Sequence, residues 1–131
     1  MVTRATSRMD AFSDGVFAII ITLLVLEVKL PPVREHASSA ELWASLKTIF
    51  PVLFSWVVSF LIVGAFWLNH HNVLHMAVKA DYAMIWINTL FLLFTSLIPF
   101  PSELMGEYPD IPLAVASLGI VMFFSTLMLI W

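Results

Sequence analysis

The chain has 131 residues, 61% of them hydrophobic and 11% charged, with a formal net charge of −3. Soluble domains carry roughly a quarter charged residues, whereas here apolar runs of roughly 20 residues match the ~30 Å thickness of bilayer hydrocarbon, so the composition describes an integral membrane protein. The absence of cysteine excludes disulfides, thiolate metal sites and cysteine nucleophiles, and the absence of a basic cluster excludes nucleic acid as a partner.

The sequence reads as one all-α domain, residues 1–131, a polytopic bundle with four transmembrane helices at about 9–30, 42–76, 82–98 and 113–131. The first apolar stretch is too long for a cleavable signal peptide, and no small-residue cleavage site follows it. Pro31-Pro32 ends the first span, because neither residue continues a helix. A polar loop at 33–39 follows, and Ser38-x-x-Glu41 has the pattern of a capping box opening the second helix. At ~1.5 Å per residue that helix exceeds the bilayer, so it is expected to tilt, to kink at Pro51, or to protrude. Lys79-Ala80-Asp81 forms the turn to the third span, which Pro99-Phe100-Pro101 is expected to terminate. An acidic loop, 102–112, leads to the fourth span. Leu129-Ile130-Trp131 carries no charged flank of the kind that anchors a helix end at the interface, so further chain is expected beyond it. Orientation is a tie by positive charge: Arg4, Arg8 and Lys79 fall on one side, Lys29, Arg34 and Lys47 on the other.

Alternating spans place Ser13 and Asp14 at the same depth as Trp67, Asn69, His70 and His71 near the end of the second span. Trp86 and Asn88 near the start of the third fall there too. A carboxylate at membrane depth is a functional candidate by default and requires donors, which imidazole, amide and indole N–H groups supply. Such a network also serves helix packing alone. His71 and His75 are four apart, the spacing of a two-His metal pair. Zinc sites usually take three protein ligands, and the spacing offers no third, so no metal site is expected and His75 is placed unpartnered at the headgroup interface. A Ser/His hydrolase would need a nucleophile elbow such as G-x-S-x-G, and none is present.

At ~100° per residue, Phe12, Gly15, Ile19, Thr22, Leu23 and Leu26 all fall within about 60° of Arg8, forming one stripe along the first helix. Ser13 lies at about 140° and Asp14 at about 240°, well off it. Asp14 therefore faces a neighbouring helix if the stripe lines a pore. The stripe is apolar except for Thr22, and a narrow pore so lined gates by dewetting. Lipid-facing or packing stripes look the same in sequence.

Arg8, Phe12, Ser13 and Asp14 form R-x-x-x-F-S-D, followed by Ala18-Ile19-Ile20-Ile21-Thr22-Leu23-Leu24-Val25-Leu26-Glu27. With Phe66-Trp67-Leu68-Asn69-His70-His71, Trp86-Ile87-Asn88-Thr89-Leu90-Phe91 and Ile98-Pro99-Phe100-Pro101, the chain resembles the transmembrane protein 175 family of potassium channels in its small prokaryotic form. The resemblance implies six-span subunits, two spans more than this chain contains, assembled as a homotetramer around the first helix of each. It implies a constriction at Ile19, Leu23 and Leu26, a pore hydroxyl at Thr22, and a motif network of Arg8, Phe12, Ser13 and Asp14 with Trp67, His70 or His71, and Asn88. No T-V-G-Y-G filter sequence is present.

The expected function is thus a potassium-permeable cation channel in a prokaryotic cell membrane, N-terminus cytoplasmic. No enzymatic chemistry, metal or organic cofactor is expected, potassium being the permeant species and the lipid bilayer its surroundings. The alternative is a proton- or cation-coupled transporter using Asp14 and His71 as a titrating relay.

Overall fold

The computed structural model describes residues 4–76 and 81–130, with side chains from Thr6 onward. Its order is α1 (Arg4–Leu24), a 3-10 turn (Val25–Glu27), α2 (Ser39–Thr48), α3 (Phe50–Met76), α4 (Tyr82–Ser96), α5 (Pro99–Glu107) and α6 (Pro112–Leu129). Every described element is helical. The expected turn residues Lys79 and Ala80, the Arg4 side chain and Trp131 lie outside what is described.

Among the described residues, four stretches are long and apolar enough to cross a membrane: Thr6–Glu27, Phe50–Met76, Tyr82–Glu107 and Pro112–Leu129. The first helix reaches back to Arg4 and ends sooner than residue 30. Helical bonding tightens to 3-10 after Leu24 and stops at Val28, whose ψ is 87°. The departing chain carries Lys29 to Glu103 of α5, Nζ to Oε1 2.8 Å. That hydrogen bond and the glutamate's charge raise the Lys29 pKa above its ordinary value.

The expected span 42–76 is two helices. Ser38 and Glu41 make a complete capping box, so α2 starts where the pattern placed it, but it breaks at Ile49. Pro51 is the physical reason: it has no N–H to bond back into α2, whereas within the first turn of a new helix that N–H is not needed. α2 has no buried residue, and Lys47 sits over the Trp43 ring at 5.8 Å.

The same proline logic corrects the third span. Pro99 and Pro101 do not end helical structure; they open α5, with Pro in its first turn. Much of the expected acidic loop 102–112 is consequently helical, to Glu107. Hydrogen bonds from Phe100 N to Leu97 O and Ser102 N to Ile98 O carry the chain through the joint, and α4 and α5 together act as one membrane-length unit.

Packing pairs α1 with α3, α3 with α5, and α4 with α6. Phe17, Ile20 and Leu24 of α1 meet Val63, Phe66, Phe91, Leu92, Ile98 and Leu118 in the central core. Between α3 and α5 the contact is closer and made of small residues. The Ser55 hydroxyl donates to the Ser102 carbonyl, and a Cβ on Gly106 would stand 3.0 Å from the Val52 Cα. Without a solvent-driven hydrophobic effect between helices in lipid, such close backbone approach is what holds them.

Candidate functional site

α1 has two opposite faces. Thr6, Met9, Ser13, Phe17, Ile20 and Leu24, spaced three or four apart, are buried against the bundle. The stripe read from the sequence lies on the other side: Ile19 is 59% exposed, Leu23 45% and Leu26 66%. Arg8, Phe12, Gly15 and Thr22 are exposed with them. The Thr22 hydroxyl turns back on its own helix, 3.0 Å from the Ala18 carbonyl and 2.9 Å from that of Ile19. Its single proton is thereby used, and its lone pairs remain free to face outward.

Where α1, α3 and α4 meet, a buried chain of hydrogen bonds runs across all three helices. His70 Nε2 lies 2.6 Å from Asn88 Oδ1, the Asn88 amide N–H donates to Ser13 Oγ at 3.2 Å, and Ser13 Oγ donates to the Met9 carbonyl at 2.9 Å. Each donor meets one acceptor when His70 carries its proton on Nε2, because Asn88 Oδ1 is an acceptor only. All three side chains are buried. The His70 ring is further stacked on Phe91, centroids 5.0 Å apart and planes 6° from parallel, with Phe17 at 5.7 Å.

A second, shallower set flanks this chain. Trp67 Nε1 donates to Asp14 Oδ1 at 2.7 Å, and the Trp67 ring stacks on His71 at 5.9 Å. His71 Nδ1 faces Asp10 Oδ1 at 3.7 Å, and His71 Nε2 lies 3.0 Å from His75 Nε2.

Of the motif residues, Ser13, Asp14, Trp67, His70, His71 and Asn88 converge. Arg8 and Phe12 do not join them: Phe12 is 62% exposed, and Arg8 makes no hydrogen bond or ion pair among the described residues. Asn69 and Trp86, placed at the same depth by the sequence, point out of the bundle. No hydrogen bond or ion pair joins Asp14 to His71, because Trp67 occupies the carboxylate and His71 turns to Asp10. The expectation of an unpartnered His75 with no third ligand nearby is likewise corrected, since Asp10 completes a group with His71 and His75. Asp10 was legible in principle: it stands four residues before Asp14, on the same helix face.

The sequence model of the endosomal/lysosomal potassium channel TMEM175 matches residues 8–99. A potassium channel of Streptomyces collinus is 40% identical over 103 residues, 79% of this chain and 48% of that protein. One from Chamaesiphon minutus is 40% identical, over 79% of this chain and 50% of its own length. The human endosomal/lysosomal proton channel TMEM175 is 37% identical over 110 residues, 80% of this chain and 22% of that protein. The chain thus spans about half the length of the curated bacterial relatives it matches. Its fold superposes with a TM-score of 0.88 at 33% identity on the crystal structure of a lysosomal potassium-selective channel TMEM175 homologue from Chamaesiphon minutus. That superposition covers 97% of this chain and 69% of the other. The matched segment contains the whole α1–α3–α4 junction from Arg8 to Pro99, and this integral membrane protein belongs to the TMEM175 family.

Proposed function

We propose that the chain is the pore-forming part of a potassium-permeable channel, assembled as a homotetramer with α1 of each copy facing a central path. The observation that carries this reading is the sidedness of α1. Its inner face is filled by Phe17, Ile20 and Leu24, while Ile19, Thr22, Leu23 and Leu26 lie exposed on the other side. Gly15 lies on the same open stripe with nothing within 4 Å of where its Cβ would stand, so copies of α1 have room to approach one another there.

In this arrangement Ile19, Leu23 and Leu26 form an apolar constriction, and Thr22 presents hydroxyl lone pairs between them. An ion passing such a ring sheds water against a wall that offers little in return, which favours potassium over the more strongly hydrated sodium. Asp14 lies off the stripe and is held by Trp67, so the selectivity assigned here rests on the constriction and not on a ring of carboxylates. The names of the bacterial relatives support potassium as the permeant ion. In this reading the site of action is a prokaryotic cell membrane, with the N-terminus on the cytoplasmic side.

Ion flux from proteoliposomes tests the reading. Imposed potassium gradients should drive faster flux than equal sodium gradients, with a reversal potential set by potassium. Equal flux for both ions, or transport locked to a fixed proton stoichiometry, rejects it in favour of a coupled transporter.

A further inference from the structure

The start of α1 and the end of α3 meet at one end of the bundle, where Asp10, His71 and His75 each bring a ligand atom to within 4.8 Å of the other two. We propose that these three side chains bind a divalent transition metal of the zinc class, tying the first turns of α1 to the last turns of α3. The site is independent of what passes through the assembled protein.

Geometry comes first. The two Nε2 atoms of His71 and His75 are 3.0 Å apart, and two nitrogens at ~2.0–2.1 Å from a tetrahedral zinc ion stand about 3.4 Å from each other. A few tenths of an ångström of side-chain motion brings the two imidazoles to that spacing. Asp10 Oδ1 and His71 Nδ1 are buried atoms without a hydrogen-bond partner, and their 3.7 Å separation is too long to be a hydrogen bond. A hydrogen bond between two neutral imidazoles would explain the His71–His75 contact. It leaves Asp10 Oδ1, a buried acceptor, unpaired, with His71 Nδ1 3.7 Å away and beyond hydrogen-bond reach. A metal ion taken by the two Nε2 atoms gives Asp10 Oδ1 a cation to pair with, His71 Nδ1 staying outside its shell.

The donor set selects the ion. Two imidazoles and one carboxylate with an open fourth position are a common zinc ligand set, whereas calcium and magnesium favour all-oxygen shells. The surroundings also orient the ligands. Trp67 stacks on the His71 ring with an interplanar angle of 25° and is itself fixed by its hydrogen bond to Asp14. Outer contacts of this kind hold ligating histidines in place.

Zinc titrated into the purified chain in detergent, against a competing fluorescent chelator, is expected to bind one ion per chain and raise the thermal midpoint. His75→Ala and Asp10→Asn should each weaken binding at least about tenfold, the scale seen even for outer-shell residues, and remove the thermal shift. His75 is exposed, so its replacement probes ligation without emptying the core. His36, exposed in the loop after the first span, serves as the control, and His36→Ala should bind as the parent does. Undiminished binding in His75→Ala or Asp10→Asn, loss of binding in His36→Ala, or no saturable binding in the parent overturns the site. Calcium or magnesium binding as tightly as zinc overturns the ligand class.

Discussion

The indole N–H of Trp67 donates to Asp14 Oδ1 at 2.7 Å, bridging α3 and α1. One turn away, four residues back along α1 and four residues on along α3, Asp10 faces His71. The two pairs step in opposite directions along their helices, which is the register of an antiparallel helix pair. Asp14 and Asp10 are therefore successive rungs of one contact, and the motif aspartate acts as a bolt between helices.

Trp67→Phe keeps the ring and its stacking on His71 but deletes the donor. Hydrogen bonds to charged groups contribute about 1.5–3 kcal/mol, so this variant should melt lower by that order and yield less assembled protein. Asp14→Asn leaves a neutral acceptor on the same indole and should be the milder change. Thermal melting in detergent with size-exclusion analysis checks both. A well-assembled Asp14→Asn protein with altered cation preference would place the carboxylate on the ion path.

The buried chain makes a sharper prediction. Asn88→Leu fills similar volume yet strands the buried His70 Nε2–H and takes the donor from the Ser13 oxygen, whose own proton still reaches the Met9 carbonyl. An unpartnered buried polar group costs about 1–3 kcal/mol, so the loss should be of the same order as that of Trp67→Phe. Adding His70→Phe, which extends the aromatic stack with Phe91, should recover part of it. A double variant that melts no higher than Asn88→Leu alone would show that His70 and Asn88 are not partners.

Much of this was legible in the sequence, and the failures have two causes. Alternating spans and a 100° step were enough to bring Ser13, Asp14, Trp67, His70, His71 and Asn88 to one depth and to set the Ile19 stripe apart from Asp14. Azimuth on the other helices was not legible. α3 is apolar nearly all round, so its periodicity could not show that Asn69 turns outward while His70 turns in. Proline was ambiguous too: the pattern allows Pro51 to kink one long helix and Pro99 to end one. Pro51 and Pro99 each sit in the first turn of a new helix, a position that suits proline as well as an ending does.

Gly106 carries the tightest helix contact among the described glycines. A methyl there meets a backbone atom of Val52 at 3.0 Å, so α3 and α5 must separate for Gly106→Ala to fit. At Gly64 and Gly119 nothing lies within 4 Å, and alanine gains up to about 1 kcal/mol in helix propensity. Gly106→Ala should thus lower the melting temperature while Gly64→Ala raises or preserves it. The reverse order would mean that α3 and α5 are not in this close contact.

The α2 cap gives a pH dependence. Backbone and side-chain hydrogen bonds from Ser38 hold the Glu41 pKa below its ordinary value. A carboxylate depressed in the folded state adds stability above its unfolded pKa and loses it as pH falls through the folded one. Fraying of α2 should therefore set in below the ordinary glutamate range and vanish as a pH-dependent effect in Glu41→Gln. Amide hydrogen exchange across 39–48 reads it directly. Identical exchange at pH 3 and pH 6, after correction for intrinsic rates, would exclude the cap as the cause.

Ile19 and Ile20 are neighbours in sequence with opposite surroundings, 59% and 3% exposed, and they separate pore lining from packing. Ile20 packs among Phe17, Leu24 and the core residues of α3 and α4, so Ile20→Ala should cost about 2–5 kcal/mol and reduce assembly. Ile19→Asn removes no intraprotomer contact of that kind and should leave the melting temperature of the protomer nearly unchanged. If α1 lines the path, however, an amide at that ring hydrates the constriction, lowers the barrier to a dehydrating ion and relaxes the preference for potassium. Reconstituted Ile19→Asn should accordingly pass larger currents with reversal potentials shifted toward non-selectivity. A mutant with parental conductance and ion preference would assign the exposed stripe to lipid or to contacts between subunits, and would move the gate off Ile19.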